Sequence, residues 1–273
     1  MKQFLKKVAA RVARTAPVRS AVVHLVYPNV VRCISQEIRS DMPSDTGLIE
    51  ALAWKSHAYI VMSEELASGT NCCQGALKCD YETRRRMLDI VLAAIQSQAG
   101  DVFEFGVASG DSFLQFLELC PNRQIYGFDS FEGLPEDWWT RPKGTFASAP
   151  PQFTNPNGHL IKGWYDESVP RFFRDWTGSI ALLHIDCDLY SSTATSLRYA
   201  LDHCGANTVV LFDEYYNYPG FARHEWLAWK EDKEDRGIVA KCLAYDGRRA
   251  AFQIKTIQEH VKRASVAPQD LSA

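Results

Sequence analysis

The chain has 273 residues, 46% of them hydrophobic and 23% charged, enough for an α/β domain with extensions whose core needs no disulfide or structural metal. The formal net charge of −3 argues against a nucleic-acid partner, whose backbone calls for a basic face. The eight cysteines form no Cys-x-x-Cys pair and read as reduced thiols in a cytoplasmic protein, and no apolar run is long enough to cross a bilayer.

The first twenty residues carry Lys2, Lys6, Lys7, Arg11, Arg14 and Arg19 and no acid. As a helix they set Phe4, Leu5, Val8 and Val12 against a cationic side. A peripheral membrane contact, a transit peptide and an ordinary solvated helix all stay open. Up to Cys79 the pattern predicts irregular and helical chain without strands. Leu48, Leu52, Tyr59, Ile60, Met62 and Leu66 suggest one or two amphipathic helices. Cys72, Cys73 and Cys79 read as small apolar groups rather than as a metal or redox cluster. The expected organisation is an N-terminal extension over 1–80, a domain over 81–256 and a tail over 257–273.

From Tyr81 to Gln98, Met87, Ile90, Val91, Ala94 and Ile95 recur at helical spacing, and Gly100 stops the helix. The rhythm then changes. Strands are predicted over 102–105, 124–128, 159–162, 180–185 and 208–212, with helices over 111–120 and 193–203 between them. Buried strands alternating with helices predict a mostly parallel, Rossmann-like sheet covered on both faces. The ending differs: 238–245 and 249–254 read as an antiparallel hairpin turning at Asp246-Gly247.

The segment Glu104-Phe105-Gly106-Val107-Ala108-Ser109-Gly110 lies where the first strand turns into its helix. Gly106 permits the sharp turn, and Gly110 is expected to let a ligand approach the helix start. The spacing is G-x-x-x-G rather than the dinucleotide G-x-G-x-x-G, which suits a ligand without a pyrophosphate. Asp129 ends the next strand about 20 residues on, where a carboxylate accepts ribose hydroxyls; as a plain turn residue it opens the loop instead. Glu104 is expected to fix either this turn or the ligand's amino group. The long segment 130–158, rich in Pro, Gly and Asn, bears Trp138, Trp139, Phe146 and Phe153, as a lid or as packing.

Four carboxylates end two strands that should be neighbours about 4.8 Å apart: Asp186 and Asp188 on one, Asp213 and Glu214 on the other. Asp186 and Asp188 are two positions apart, which predicts one side of an extended chain. Four acids in one mouth repel unless a cation or proton neutralises them. With no Cys or His in the pattern, the hard oxygens favour Mg²⁺, with Mn²⁺ or Ca²⁺ as substitutes. Ser191, Ser192 and Thr193 are expected to cap the following helix, leaving the aspartates free of that task. Tyr215, Tyr216 and Tyr218 are expected on the acceptor side. His159 and His184 are expected to be core histidines, and His224 is a second candidate base.

The first motif, Glu104-x-Gly106-x-x-x-Gly110, resembles that of class I S-adenosylmethionine-dependent methyltransferases. Gly127-Phe128-Asp129-Ser130-Phe131-Glu132-Gly133-Leu134-Pro135 and Asp186-Cys187-Asp188-Leu189-Tyr190-Ser191-Ser192-Thr193 resemble the macrocin O-methyltransferase family, with the likeness running from about Tyr81 to Ile254. The resemblance implies S-adenosyl-L-methionine bound by Glu104, Gly106, Gly110, Asp129, Ser130 and Asp186, with Trp164 and Asp166 near the adenine. It also implies a divalent metal on Asp186, Asp213 and Glu214, and Asp188 as general base. Relatives often have Asp-Asp where this chain has Asp213-Glu214, so a place for Glu214 beyond the metal's direct ligands stays open. Catechol-type enzymes use a lysine near Asp188, where this chain offers Leu189 and Tyr190. The implied reaction is O-methylation of a sugar or another small vicinal-oxygen acceptor, with a homo-oligomer left open. A nicotinamide-dependent oxidoreductase is opposed by the missing G-x-G and the terminal hairpin. A noncatalytic scaffold is opposed by the unrelieved carboxylates.

Overall fold

The computed structural model describes residues 45–73 and 77–258. The basic N-terminus and most of the C-terminal tail lie outside them. The chain divides into two compact units, residues 1–59 and 60–273. In the first unit the described residues belong to helix α1 (Asp45–Val61), which a π-helical turn (Met62–Leu66) follows.

The second unit is built on an eight-stranded sheet. In chain order its elements are β1 (Thr70–Asn71), α2 (Tyr81–Ile95), β2 (Asp101–Phe105), α3 (Asp111–Leu119), β3 (Ile125–Asp129), β4 (Gly158–Lys162), α4 (Tyr165–Asp175), β5 (Ile180–Ile185), α5 (Tyr190–Ala200), β6 (Val209–Phe212), α6 (Glu225–Asp235), β7 (Val239–Tyr245) and β8 (Ala250–Thr256). The strand order is β1-β7-β8-β6-β5-β2-β3-β4. Only β8 runs against its neighbours, inserted between β6 and β7, so the predicted hairpin closes a parallel sheet. Among the described residues no helix is long and apolar enough to cross a membrane.

Side-chain alternation assigns the two faces. Val102, Leu182, Val209 and Leu211 pack with Met87, Val91 and Ile95 of α2 and Phe113 and Phe116 of α3. On the other face Phe103 meets Phe172, Phe173 and Trp176 at 4.8–5.8 Å between ring centroids, and Phe212 meets Trp229 of α6 at 5.5 Å. Every residue of β5 and β6 is buried, which is why these strands read as unbroken apolar runs.

Three elements lie outside the sequence reading. α4 holds Pro170 in its interior, which reads as a breaker, yet it buries Ser168, Val169 and Phe173. α6 is mostly charged but buries Glu225, Trp226, Ala228 and Trp229 on one side. β1 has two residues, too few for any alternation to register. α2 starts where a capping box stands: Thr83 N–H donates to Asp80 Oδ1 at 2.9 Å, and Asp80 N–H to Thr83 Oγ1 at 3.1 Å.

Candidate active site

The strand order reverses between β2 and β5, and ligands of open α/β sheets bind at the carboxyl ends of such strands. A cleft of about 720 Å³ opens there, within the usual range of small-molecule sites. Gly106, Asp129, Ser130, Trp164, Asp166, Asp186, Asp188 and Glu214 line it together. At Gly106 (φ 98°) an added Cβ would come 1.8 Å from the Asp186 carbonyl oxygen, so only glycine lets the β2–α3 turn pass the chain leaving β5. Asp129 Oδ2 accepts from the N–H groups of Val107 and Ala108 at 2.8 Å each, and Oδ1 from Phe131 N–H at 2.7 Å. It lines the cleft and fastens the turn at once.

Two expected cofactor residues are placed differently. Gly110 (φ 96°) does start α3, but Pro151 would meet an added Cβ at 2.5 Å. Its missing side chain therefore admits the long loop rather than a ligand. Glu104 is fully buried, because β2 alternation turns it toward α3, and its Oε1 lies 3.0 Å from His184 Nδ1. It fixes β2 to β5, and its Oε2 is buried without a partner. His184 is thus a partnered core histidine, as expected.

The acid mouth assembles on the chain after β5 and β6. Asp186 and Asp188 both face the cleft, but not by strand alternation. β5 ends at Ile185, Asp188 has φ 63°, and Leu189 N–H donates to Cys187 C=O at 2.6 Å. A tight turn, not an extended run, presents the second carboxylate. Nor do the serines cap α5: its N-cap is Leu189, without a side-chain bond. Ser191 Oγ donates to Glu136 of the long loop at 2.7 Å, while Thr193 Oγ1 lies 3.4 Å from Cys187 Sγ. The unsatisfied N–H end of α5 stays at the cleft, favourable to negative charge.

The expected repulsion among four bare acids is partly relieved by cations that the sequence reading did not place. Arg249 Nε donates to Asp213 Oδ1 at 2.7 Å, and Arg248 Nη1 to Glu214 Oε1 at 2.8 Å. Both arginines sit on the β7–β8 turn, where Asp246 Oδ1 accepts from the N–H of Arg248 and of Arg249 at 2.9 and 2.8 Å. A noncatalytic scaffold would thus bear less repulsion than four bare acids imply. Burial would raise Asp213, but Arg249, Arg84 and His184 together hold its carboxyl below the usual range. Burial and the charge of Asp213 raise Glu214 to about 7 against the pull of Arg248. Asp186 is pushed well up by burial and by Asp213, Asp188 and Glu104. Asp188 is pushed well up by burial, Glu214 and Asp213, with Arg248 and Arg141 opposing.

Asp213 does not line the cleft itself, because Arg249 holds it beneath. Among the described residues, the trio of metal-type ligand atoms within 4.8 Å of one another is Glu104, His184 and Asp186, not Asp186, Asp213 and Glu214. One oxygen of each arginine-bound acid nevertheless stays outside its bond, and Glu214 Oε2 is buried without a partner.

The tyrosines after Glu214 do not reach the acceptor side. Tyr215, Tyr216 and Tyr218 are fully buried; Tyr215 O–H donates to Glu65 Oε2 at 2.8 Å, and Tyr216 O–H bonds the Asp246 carbonyl. His224 stacks on Tyr218 away from the cleft, which removes it as a second base. Trp138, Trp139 and Phe146 line the cleft, whereas Phe153 packs on Phe113 at 5.3 Å. Trp138 is buried while Trp139 and Phe146 are exposed, so the long loop is both packing and rim.

Residues 103–215 match the profile of a family described as "Methyltransferase domain". No curated protein matches the chain. Among solved structures it is similar to "CalS11, Calicheamicin Methyltransferase", at 18% identity over 87% of this chain and 93% of that one, with a TM-score of 0.53. It is also similar to "the O-methyltransferase NovP", at 17% identity over 77% of this chain and 100% of that one, with a TM-score of 0.52. At such identities the likeness establishes the fold, the Rossmann-like sheet of class I methyltransferases.

Proposed function

We propose that this S-adenosylmethionine-dependent methyltransferase methylates a hydroxyl of a sugar or another small vicinal-oxygen acceptor, with Asp188 as general base and Mg²⁺ at the mouth. One observation carries the reading. Asp186 and Asp188 line the same cleft as Gly106 and Asp129, and no described group hydrogen-bonds either side chain.

The cofactor half fits a nucleoside. Gly106 lets the β2–α3 turn pass close against the chain leaving β5, Asp129 and Ser130 face the space from one side, and Trp164 and Asp166 face it from beyond β4. S-adenosylmethionine supplies an electrophilic methyl when bound, so the protein's main task is to align an oxygen behind it. By donor chemistry alone a hard cation suits Asp186, the free Oε2 of Glu214 and the second oxygen of Asp213, which would have to draw together to hold it. When bound, a dication lowers the pKa of an acceptor hydroxyl. Asp188 takes the proton as the oxygen attacks, and a carboxyl raised by burial is a better base near neutral pH than an exposed one. Trp139 and Phe146 offer apolar faces to a sugar ring, and Trp138 closes the loop on Tyr218 at 5.7 Å.

Labelled methyl transfer from S-adenosylmethionine to a panel of hexoses, methyl glycosides and catechol, with and without chelator, tests the reading. We expect transfer to a vicinal hydroxyl, abolished by chelator and restored by Mg²⁺. Transfer indifferent to chelator removes the metal, and transfer only to nitrogen or carbon acceptors removes the hydroxyl.

A further inference from the structure

We infer that Glu225 is a positioning residue, whose carboxylate ties the turn carrying Asp188 to the turn carrying Glu214 and so sets where the proposed base stands. The inference rests on the reading of Asp188 given above. Glu225 is the first residue of α6 and is fully buried. Its Oε1 accepts from Asp188 N–H at 3.2 Å, and its Oε2 accepts from Glu214 N–H at 3.1 Å. One side chain thereby joins the chain leaving β5 to the chain leaving β6. It does not line the cleft, so it acts through the backbone of the residues that do.

Asp188 requires such a hold. The bond from Leu189 N–H to Cys187 C=O closes a three-residue turn around it, and its φ of 63° makes this the rare, strained form. Strained residues persist where the surroundings over-determine them. The Asp188 N–H is not used by the sheet or by α5, and among the described residues Glu225 is what accepts it.

The side-chain chemistry is specific. Two converging N–H donors call for two acceptor oxygens in one fork, which a carboxylate provides and a carboxamide does not. Among the described residues no Lys, Arg or His nitrogen lies within salt-bridge distance of Glu225, so an ion-pair role does not explain its burial. An acid is also favoured at the start of a helix, and α6 is anchored beneath it by Trp229 against Phe212.

Amide hydrogen exchange on the full-length protein tests the clamp directly. In the wild type the Asp188 and Glu214 amides should be protected well beyond neighbouring loop amides. In Glu225→Gln both should exchange faster by more than the general loss of stability accounts for, Tm being lowered by the one N–H left unsatisfied. S-adenosylhomocysteine affinity should stay within about 3-fold, and kcat for any hydroxyl acceptor in the panel above should fall by about 10–100-fold, the usual effect of losing an orienting partner. Glu225→Asp, which keeps the fork one methylene short, should fall between the two.

Loop-like exchange of both amides in the wild type overturns the proposal even if the Gln variant does not fold, as does wild-type kcat in that variant. If the wild type transfers methyl to no hydroxyl, the proposed reaction falls, and the amide measurement alone decides the clamp.

Discussion

Two neighbouring strand ends each carry two carboxylates, and the fold treats them oppositely. After β6, Asp213 and Glu214 are answered by Arg249 and Arg248 from the hairpin turn. After β5, Asp186 and Asp188 have no cation within salt-bridge distance among the described residues. The same residue types at the same level of one sheet thus take different parts. Acids that the protein neutralises itself brace the hairpin, whereas those left bare have only an outside cation or a proton to offset their charge.

The largest expected effect is on the bare pair. Asp188→Asn keeps the shape and removes the base, so methyl transfer should fall by about 10²–10⁴-fold, the range for general-base catalysis. S-adenosylhomocysteine affinity, measured by calorimetry, should hardly change. Wild-type turnover would remove Asp188 from the chemistry and make the two strand ends alike.

Next comes the arginine-held pair. Arg249→Ala takes the guanidinium from two buried carboxylates, Asp213 and Asp246, which costs about 3–5 kcal/mol and should appear as a large drop in denaturation midpoint. Joining it to Asp213→Asn should recover part of the loss. If the single variant melts like wild type, the pair does not brace the hairpin.

A smaller effect separates the pairs by pH. Asp186 and Asp188 are pushed well up by burial first, and Glu214 to about 7. The native state then holds protons that the unfolded chain has released, so stability falls as pH rises through that window. The Tm of the metal-free protein should rise from about pH 8 to about pH 5, and added Mg²⁺ should flatten the trend. The lowered Asp213 contributes stability that is present above the ordinary carboxylate range and lost on further acidification, so the rise should reverse below about pH 4. A Tm that climbs steadily with pH would mean that the bare pair is ionised without strain.

The smallest effect belongs to Arg248, whose side chain is 35% exposed. Arg248→Ala should shift stability by less than about 1 kcal/mol. Its mark should instead be on Glu214, as a changed Mg²⁺ affinity by titration; an unchanged affinity would place Glu214 outside the metal's direct ligands.

Much of this was legible in the sequence because it is local. The apolar runs of β2, β5 and β6, the glycine turn at 106, Asp129 and the four acids at strand ends each follow from period, spacing and the side a strand end must face. The hidden parts are those where a distant segment completes a local one. Tyr215, Tyr216 and Tyr218 follow the mouth in sequence, yet Glu65 and the Asp246 carbonyl draw two of their hydroxyls into the core. α4 and α6 escaped because Pro170 and a run of charges masked one-sided burial.

By itself, then, the sequence determined the alternating architecture and the stock of acids at its carboxyl ends, since both depend on residues a few positions apart. Which acids are neutralised was decided by tertiary structure. Arg248 and Arg249 stand about 35 residues beyond Asp213 and Glu214 and reach them only because β8 inserts beside β6. Glu225 meets Asp188 and Glu214 only because α6 folds back over both strand ends. Electrostatic partnership depends on distance through space, and composition along the chain carries no record of it.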